Sequence, residues 1–88
     1  MLYTVLVKRK VARGLEKLPT GVQQSFTLLA RDLASSGPVQ GGWPNFSPIG
    51  KGRYHCHLNY RYVACWKCQG STIEIEVYYV GSREKAPY

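Results

Sequence analysis

The sequence predicts an α+β domain in the order β-α-α-β-β-β: a small, mostly antiparallel sheet with a helical hairpin packed on one face. Three observations predict it. The first run, residues 2–7 (LYTVLV), is β-branched and aromatic. Residues 8–34 carry apolar side chains at helical spacing, broken once at Pro19. From Arg53 onward the period changes to two and holds through three runs separated by short turn signals. At 88 residues a single domain spanning 1–88 is expected, and no internal repeat is visible.

In the first run Tyr3, Val5 and Val7 share one face, and Leu2, Thr4 and Leu6 the other. Both faces are apolar enough for a strand covered on two sides. Residues 8–18 place Val11, Leu15 and Leu18 on one helical stripe, with Lys8, Arg9, Lys10, Arg13 and Lys17 over most of the rest. Gly14 weakens this helix by roughly 1 kcal/mol relative to Ala. Pro19 ends it, because its ring cannot continue the hydrogen-bond ladder. Thr20 reads as an N-cap, and Gln23 completes a capping-box pattern. A second helix then runs over about 21–34, buries Val22, Phe26, Leu29 and Leu33, and stops at Ser35-Ser36-Gly37-Pro38. Two short helices joined through Pro19 form an antiparallel hairpin that can lie across a sheet.

Residues 37–52 hold five Gly and three Pro and read as a loop. Trp43, Phe46 and Ile49 either pin that loop to the body or wall a binding site, with Trp43 stacking on a base. In 53–58, Tyr54, Cys56 and Leu58 share one face, and Arg53, His55 and His57 the other. Asn59-Tyr60 is a turn. In 61–67, Arg61, Val63, Cys65 and Lys67 alternate with Tyr62, Ala64 and Trp66, and Gln69-Gly70-Ser71 is the next turn. In 72–80, Ile73, Ile75, Val77 and Tyr79 oppose Glu74, Glu76, Tyr78 and Val80; Gly81 ends the strand, and 82–88 is a tail. The three runs form an antiparallel meander. The first strand joins it as an edge or inner neighbour, and the face without helices is the candidate working surface.

Twelve Lys plus Arg against five Asp plus Glu give a net charge of +7. Such a balance points to a polyanionic partner: nucleic acid, an acidic protein, or both. The apolar runs are far too short to span a bilayer. The opening MLYTVLVKRK is too brief for a signal-peptide core and carries its charges after the apolar run. A cytoplasmic location without membrane attachment is therefore expected. Three cysteines, Cys56, Cys65 and Cys68, argue against a disulfide framework. Cys65-x-x-Cys68 with His55 and His57 upstream raises zinc, but on a strand Cys65 and Cys68 point to opposite faces and a second ligand pair is missing. No metal or other cofactor is expected.

The segment Asn59-Tyr60-Arg61-Tyr62-Val63, the ending Val80-Gly81-Ser82-Arg83 with a closing Tyr88, the element order and the basic charge together resemble the RelE/ParE superfamily of bacterial toxins. A G-D-Y-R-V-like strand and a V-G-x-R…Y ending are typical there. The chain is most similar to a RelE-like subgroup with a C-terminal G-S/T-H/R-E-K-A-P-Y motif, here Gly81-Ser82-Arg83-Glu84-Lys85-Ala86-Pro87-Tyr88. That subgroup has a Y-H-C-H-L strand upstream, here Tyr54-His55-Cys56-His57-Leu58. The resemblance spans essentially the whole chain; it is specific in the C-terminal half and a matter of pattern in the helical half. It implies the toxin of a type II toxin–antitoxin system, bound by a cognate antitoxin in a hetero-oligomer. For RelE-like members it implies a metal-independent, ribosome-dependent mRNA endoribonuclease that cuts in the ribosomal A site and inhibits translation. ParE-like members poison DNA gyrase without nuclease residues. That alternative stays open, as does a catalytically weak homologue that only binds RNA or antitoxin.

Cleavage of this kind starts with attack of a 2′-hydroxyl on the adjacent phosphate. It needs a base for the hydroxyl proton, an acid for the leaving 5′-oxygen, and cations for the charge on the phosphate. Arg61 and Arg83 suit the clamp, because guanidinium grips phosphate oxygens bidentately and stays charged. Arg61 matches the G-D-Y-R arginine of the family. Arg83 stands where the subgroup often has His and other RelE-like toxins place a catalytic Arg, which leaves the acid–base assignment open. Imidazole titrates near neutrality, so either His55 or His57 serves as base or acid, or hydrogen-bonds on the sheet. Tyr88 matches a C-terminal tyrosine that stacks on a base or takes part in proton transfer. Glu84 is either a further base or a solvated charge. Lys51 and Arg53 stand where RelE-like toxins carry basic residues. The expected catalytic set is thus His55, His57, Arg61, Arg83 and Tyr88, with Lys51, Arg53 and Trp43 as RNA-binding residues.

Overall fold

The apolar stripe of the second helix is the element from which the layers are built. In the computed structural model, which describes residues 2–70 and 72–88, this helix is α2, Thr20–Ser36. Its buried residues are Val22, Phe26, Leu29, Leu33 and Ala34, the i, i+4, i+7 side of a 3.6-residue period. Before it come β1, Thr4–Val7, and α1, Arg9–Leu15. After it come β2, Ser47–Gly50; β3, Arg53–His57; β4, Tyr62–Lys67; β5, Glu74–Ser82; and a closing 3-10 turn at Arg83–Lys85. The sheet has five strands in the order β1-β5-β4-β3-β2. Neighbours are antiparallel except β1, an edge strand that runs parallel to β5.

Helices cover one face of the sheet. Leu29 and Leu33 from α2 meet Cys56, Ala64, Trp66, Ile75 and Val77 from the strands, all fully buried. Burying a Leu-sized side chain contributes ~1.5–3 kcal/mol, so this layer supplies much of the stability of a small domain. Phe46, Tyr54 and Trp66 stack at one end of the core, with ring centroids 5.7, 6.1 and 6.4 Å apart. The Trp66 indole N–H donates to the Pro38 carbonyl at 2.9 Å, so the buried nitrogen is satisfied.

Four expectations need correction. The glycine- and proline-rich segment is not all loop, because residues 47–50 form β2 and pair with β3. Pro48 sits there on an edge strand, where its missing N–H costs no ladder bond. The capping box at Thr20 and Gln23 does not form. Thr20 is already helical, Pro19 occupies the cap position, and no side chain caps the helix. Gln23 instead reaches back to the carbonyls of Leu18 at 2.8 Å and Glu16 at 3.3 Å, tying the end of the first helix to the second. Helix α1 also ends at Leu15, three residues earlier than Pro19 alone would require.

The fourth correction concerns β5. The register shifts between Cys65 and Trp66, which pair with Tyr79 and Val77, so Tyr78 is an extra residue. This β-bulge reverses the alternation beyond it. Tyr79 joins Cys65 on the open face, and Val80 turns to the core. Nor does Gly81 end the strand: it pairs with Val63, and the strand continues to Ser82. A Cβ at Gly81 would stand 2.9 Å from the Tyr79 hydroxyl oxygen, so glycine lets that ring cross the strand. Of the turn expected at Gln69-Gly70-Ser71, Ser71 lies outside the described residues.

The helix face assignment is testable by denaturant unfolding. Leu29→Ala should cost ~2–5 kcal/mol. Leu28→Ala, on the exposed side of the same helix, should change stability by no more than ~0.5 kcal/mol. Equal costs would refute the packing of α2 described above.

Candidate active site

Strand pairing assembles the open face in rows. Arg53, Lys67 and Glu76 form one row, His55, Cys65 and Tyr79 the next, and His57, Val63 and Gly81 the third. Ser47 extends the middle row from β2, beside His55. Val63 and Cys65 are fully buried although no helix covers them. The C-terminal tail does so in part. The Ser82 hydroxyl accepts from the Glu84 N–H, starting the 3-10 turn, and the Ala86 N–H donates to Arg83 and that of Tyr88 to Ala86. The chain thereby folds back, and the Tyr88 ring lies 4.5 Å from His55, centroid to centroid. His55 is only 7% exposed as a result.

His57 is more open. Its ring lies 5.7 Å from that of His55, and its backbone N–H donates to the Pro44 carbonyl at 2.8 Å. It lines a shallow cleft of about 330 Å³ with Pro44, Asn45, Asn59, Tyr60 and Arg83. A second cleft of about 410 Å³ is lined by Tyr60, Arg61, Tyr62, Ser82, Arg83 and Glu84. Tyr60 and Arg83 therefore border both. The Arg83 N–H donates to the Arg61 carbonyl at 2.9 Å, which fixes the two arginines side by side in the chain trace. Asn59 holds the turn: its Oδ1 accepts from the N–H groups of Arg61 at 2.7 Å and Tyr62 at 2.9 Å. The Arg61 guanidinium lies over the Tyr60 ring, 5.8 Å from its centroid.

The electrostatics follow from this geometry. Among the described residues the one ion pair is Lys67–Glu76 at 3.2 Å. Neither Arg61 nor Arg83 is paired with a carboxylate of the described residues, so both guanidinium groups are available to an anion. Burial, and then the charges of His55 and Arg83, hold the His57 imidazole below its usual 6.5. His57 is thus neutral at neutral pH and able to accept a proton. Burial, with Cys65 second, pushes the Tyr88 phenol above its usual 10, while Arg83 pulls the other way. Tyr88 keeps its proton and can donate it. Burial pushes the Cys65 thiol up to about 12, so it is an inert floor and not a nucleophile.

His55, His57, Arg61, Arg83 and Tyr88 thus gather at one end of the open face. Arg53 stands two rows away, roughly 13 Å along the strand from His57 by strand geometry, with its guanidinium 5.7 Å from the Tyr78 ring centroid. Lys51 is exposed in the turn between β2 and β3. Trp43 belongs to the helical layer: its indole N–H donates to Asp32 of α2 at 2.9 Å, and its ring packs on the core. Of its two readings, that contact matches the loop anchor. Cys68 packs with the core while Cys65 belongs to the other face. Among the described residues no group of three or more His, Cys, Asp or Glu is disposed to hold a metal ion. Ser47, Asn59, Tyr60 and Tyr79 enter the site without having been singled out. Asn59 and Tyr60 carried a turn signal; Ser47 and Tyr79 depended on a strand and a bulge that the pattern did not show.

No protein-family model matches the chain, and no curated protein matches it in sequence. Solved structures do. A chain of the archaeal RelE–RelB complex from Pyrococcus horikoshii OT3 superposes with a TM-score of 0.77 at 17% identity, over 98% of this chain and 100% of that one. The YoeB dimer from Staphylococcus aureus gives 0.75 at 8% identity, over 94% and 99%. An arginine-substituted variant of the E. coli toxin RelE in the free state gives 0.74 at 15% identity, over 98% and 88%. The two helices and the five-stranded sheet are therefore those of the RelE-like toxins, and the chain has their α+β fold.

Proposed function

We propose that this chain is the toxin of a type II toxin–antitoxin pair and acts as a metal-independent endoribonuclease on ribosome-bound mRNA. The observation that carries the reading is the position of Arg83, which borders the cleft of His57 and the cleft of Arg61 at once. A phosphate held between the two guanidinium groups lies next to a neutral imidazole. His57 takes the proton of the attacking 2′-hydroxyl, and the arginines stabilise the charge that develops on the phosphate. The Tyr88 phenol supplies a proton toward the leaving 5′-oxygen. His55 supports Tyr88 from below. Lys51 and Arg53 continue the cationic face toward flanking nucleotides, and Trp43 holds the loop beside it. Both clefts are shallow, so a substrate kept in place by the ribosome suits them better than free RNA. The antitoxin partner is supported by the RelE–RelB complex among the similar structures.

Induction of the chain in growing cells tests the class. Arrest of translation with cut transcripts is expected. A DNA-damage response with intact transcripts would replace this reading by gyrase poisoning, and normal growth would leave only a binding homologue. In a reconstituted ribosome assay Arg61→Ala should lower cleavage about 10²–10³-fold, the usual effect of losing one donor to a developing anion. Arg61 is exposed, so circular dichroism should show an unchanged fold; undiminished cleavage would remove it from the clamp.

The pH dependence has a definite sign. Protonating His57 removes the base, and its folded-state value lies below 6.5. Cleavage should therefore rise with pH through a midpoint below 6.5 and be flat by neutrality. A midpoint above 6.5, or an acid limb that survives in His57→Gln, would exclude His57 as the base.

A further inference from the structure

The middle row of the open face holds a side-chain contact between β2 and β3. Ser47 of β2 lies directly across from His55 in the β2–β3 register. Its hydroxyl oxygen is 3.1 Å from His55 Nδ1, and its own backbone carbonyl oxygen is 3.4 Å from the same nitrogen. A hydroxyl can donate or accept, but a carbonyl oxygen only accepts. A bare Nδ1 would set a lone pair against that carbonyl. A protonated Nδ1 points a single N–H between two acceptors and satisfies both.

We infer that Ser47 is a positioning residue: it holds His55 in the Nδ1–H form and so turns the Nε2 lone pair toward the open face. The other ring nitrogen is compatible with this assignment. No hydrogen bond engages Nε2, yet no buried side-chain nitrogen or oxygen among the described residues lacks a partner, so Nε2 keeps some contact with solvent. A ring only 7% exposed, clamped on one side by Ser47 and covered by Tyr88, has little freedom to flip. Serine at this place lets the edge strand deliver two oxygen atoms to one imidazole nitrogen. Which nitrogen of a histidine carries the proton is set by the hydrogen bonds its ring makes, and here the contacts at Nδ1 come from β2. The role in cleavage rests on the nuclease reading; the tautomer does not.

The test is long-range ¹H–¹⁵N correlation on the ¹⁵N-labelled full chain at alkaline pH, with His57→Gln used to assign the two histidines. Wild type should show His55 with a protonated Nδ1 and an unprotonated Nε2. Ser47→Ala should move the pattern toward the Nε2–H form that free histidine favours, and Ser47→Thr, which keeps the hydroxyl on a strand-compatible side chain, should restore it. The backbone amides of the same samples report whether each variant is folded. An Nε2–H form in wild type would overturn the proposal without any variant, and an unchanged His55 pattern in folded Ser47→Ala would do so as well. In the ribosome assay Ser47→Ala should cut about tenfold more slowly and Ser47→Thr should recover. If the wild-type chain does not cut at all, the nuclease reading falls and the tautomer measurement alone decides the part played by Ser47.

Discussion

One extra residue in β5 decides what the sheet shows to its surroundings. With Tyr78 bulged, Tyr79 stands beside Cys65 and Val80 faces the helices. Without the bulge, the pairing of Trp66 with Val77 would carry on in step. Tyr79 would then enter the core opposite Ala64, and Val80 would lie on the open face beside Val63. A phenol forced into that core would leave its hydroxyl short of partners, a cost of about 1–3 kcal/mol. As folded, the Tyr79 hydroxyl donates to the Ser82 carbonyl at 2.6 Å. That bond and the crossing of Gly81 fix where the strand ends. From there the Arg83 N–H reaches the Arg61 carbonyl, and the tail turns back over the sheet. The pair of arginines and the position of Tyr88 both descend from the bulge.

Arg83 then acts on two things at once. Its charge is among the causes that keep His57 below its usual value, after burial and alongside His55. On the nuclease reading this suits a base that must be unprotonated before the substrate arrives. A phosphate bound between Arg61 and Arg83 would offset the guanidinium charge and make the imidazole more willing to take a proton when one is offered. The other end of the same face differs in character. There Lys67 is neutralised by Glu76, and Glu74 stands exposed beyond it. Among the described residues Arg61 and Arg83 lie unpaired beside His57, and at the far end Arg53 stands in the row of the Lys67–Glu76 pair.

Much of this could be read from the chain; the rest depended on placement that local pattern does not carry. The α2 stripe was legible because four large apolar residues recur at one period and nothing competes with them. The meander was legible because Arg53, His55 and His57 alternate with Tyr54, Cys56 and Leu58. Strand β2 was not, because Ser47-Pro48-Ile49-Gly50 offers no alternation and a proline argues against a strand unless its edge position is known. The bulge was not, because Tyr78, Tyr79 and Val80 are each acceptable on either face, so parity gives no signal. The reach of Gln23 was not, since a side chain that reaches back across Pro19 to Leu18 depends on the angle between two helices. Local pattern states which residues are apolar; it does not state where a strand slips by one.

The two histidines are not equivalent, although their spacing makes them look so. They sit two apart on one strand and share a face, yet one is 7% exposed and the other lines an open cleft. The difference comes from outside β3. Ser47 and Tyr88 close over His55, and both are placed by elements that the alternation in 53–58 cannot see. Val63 and Cys65, buried beneath on the side away from the helices, make that part of the face a small second core. The Tyr88 ring rests on the covered imidazole, 4.5 Å from it. A proton carrier needs access and a support needs enclosure. The fold gives access to His57 and enclosure to His55, so the reaction proposed here needs only the first to change its charge.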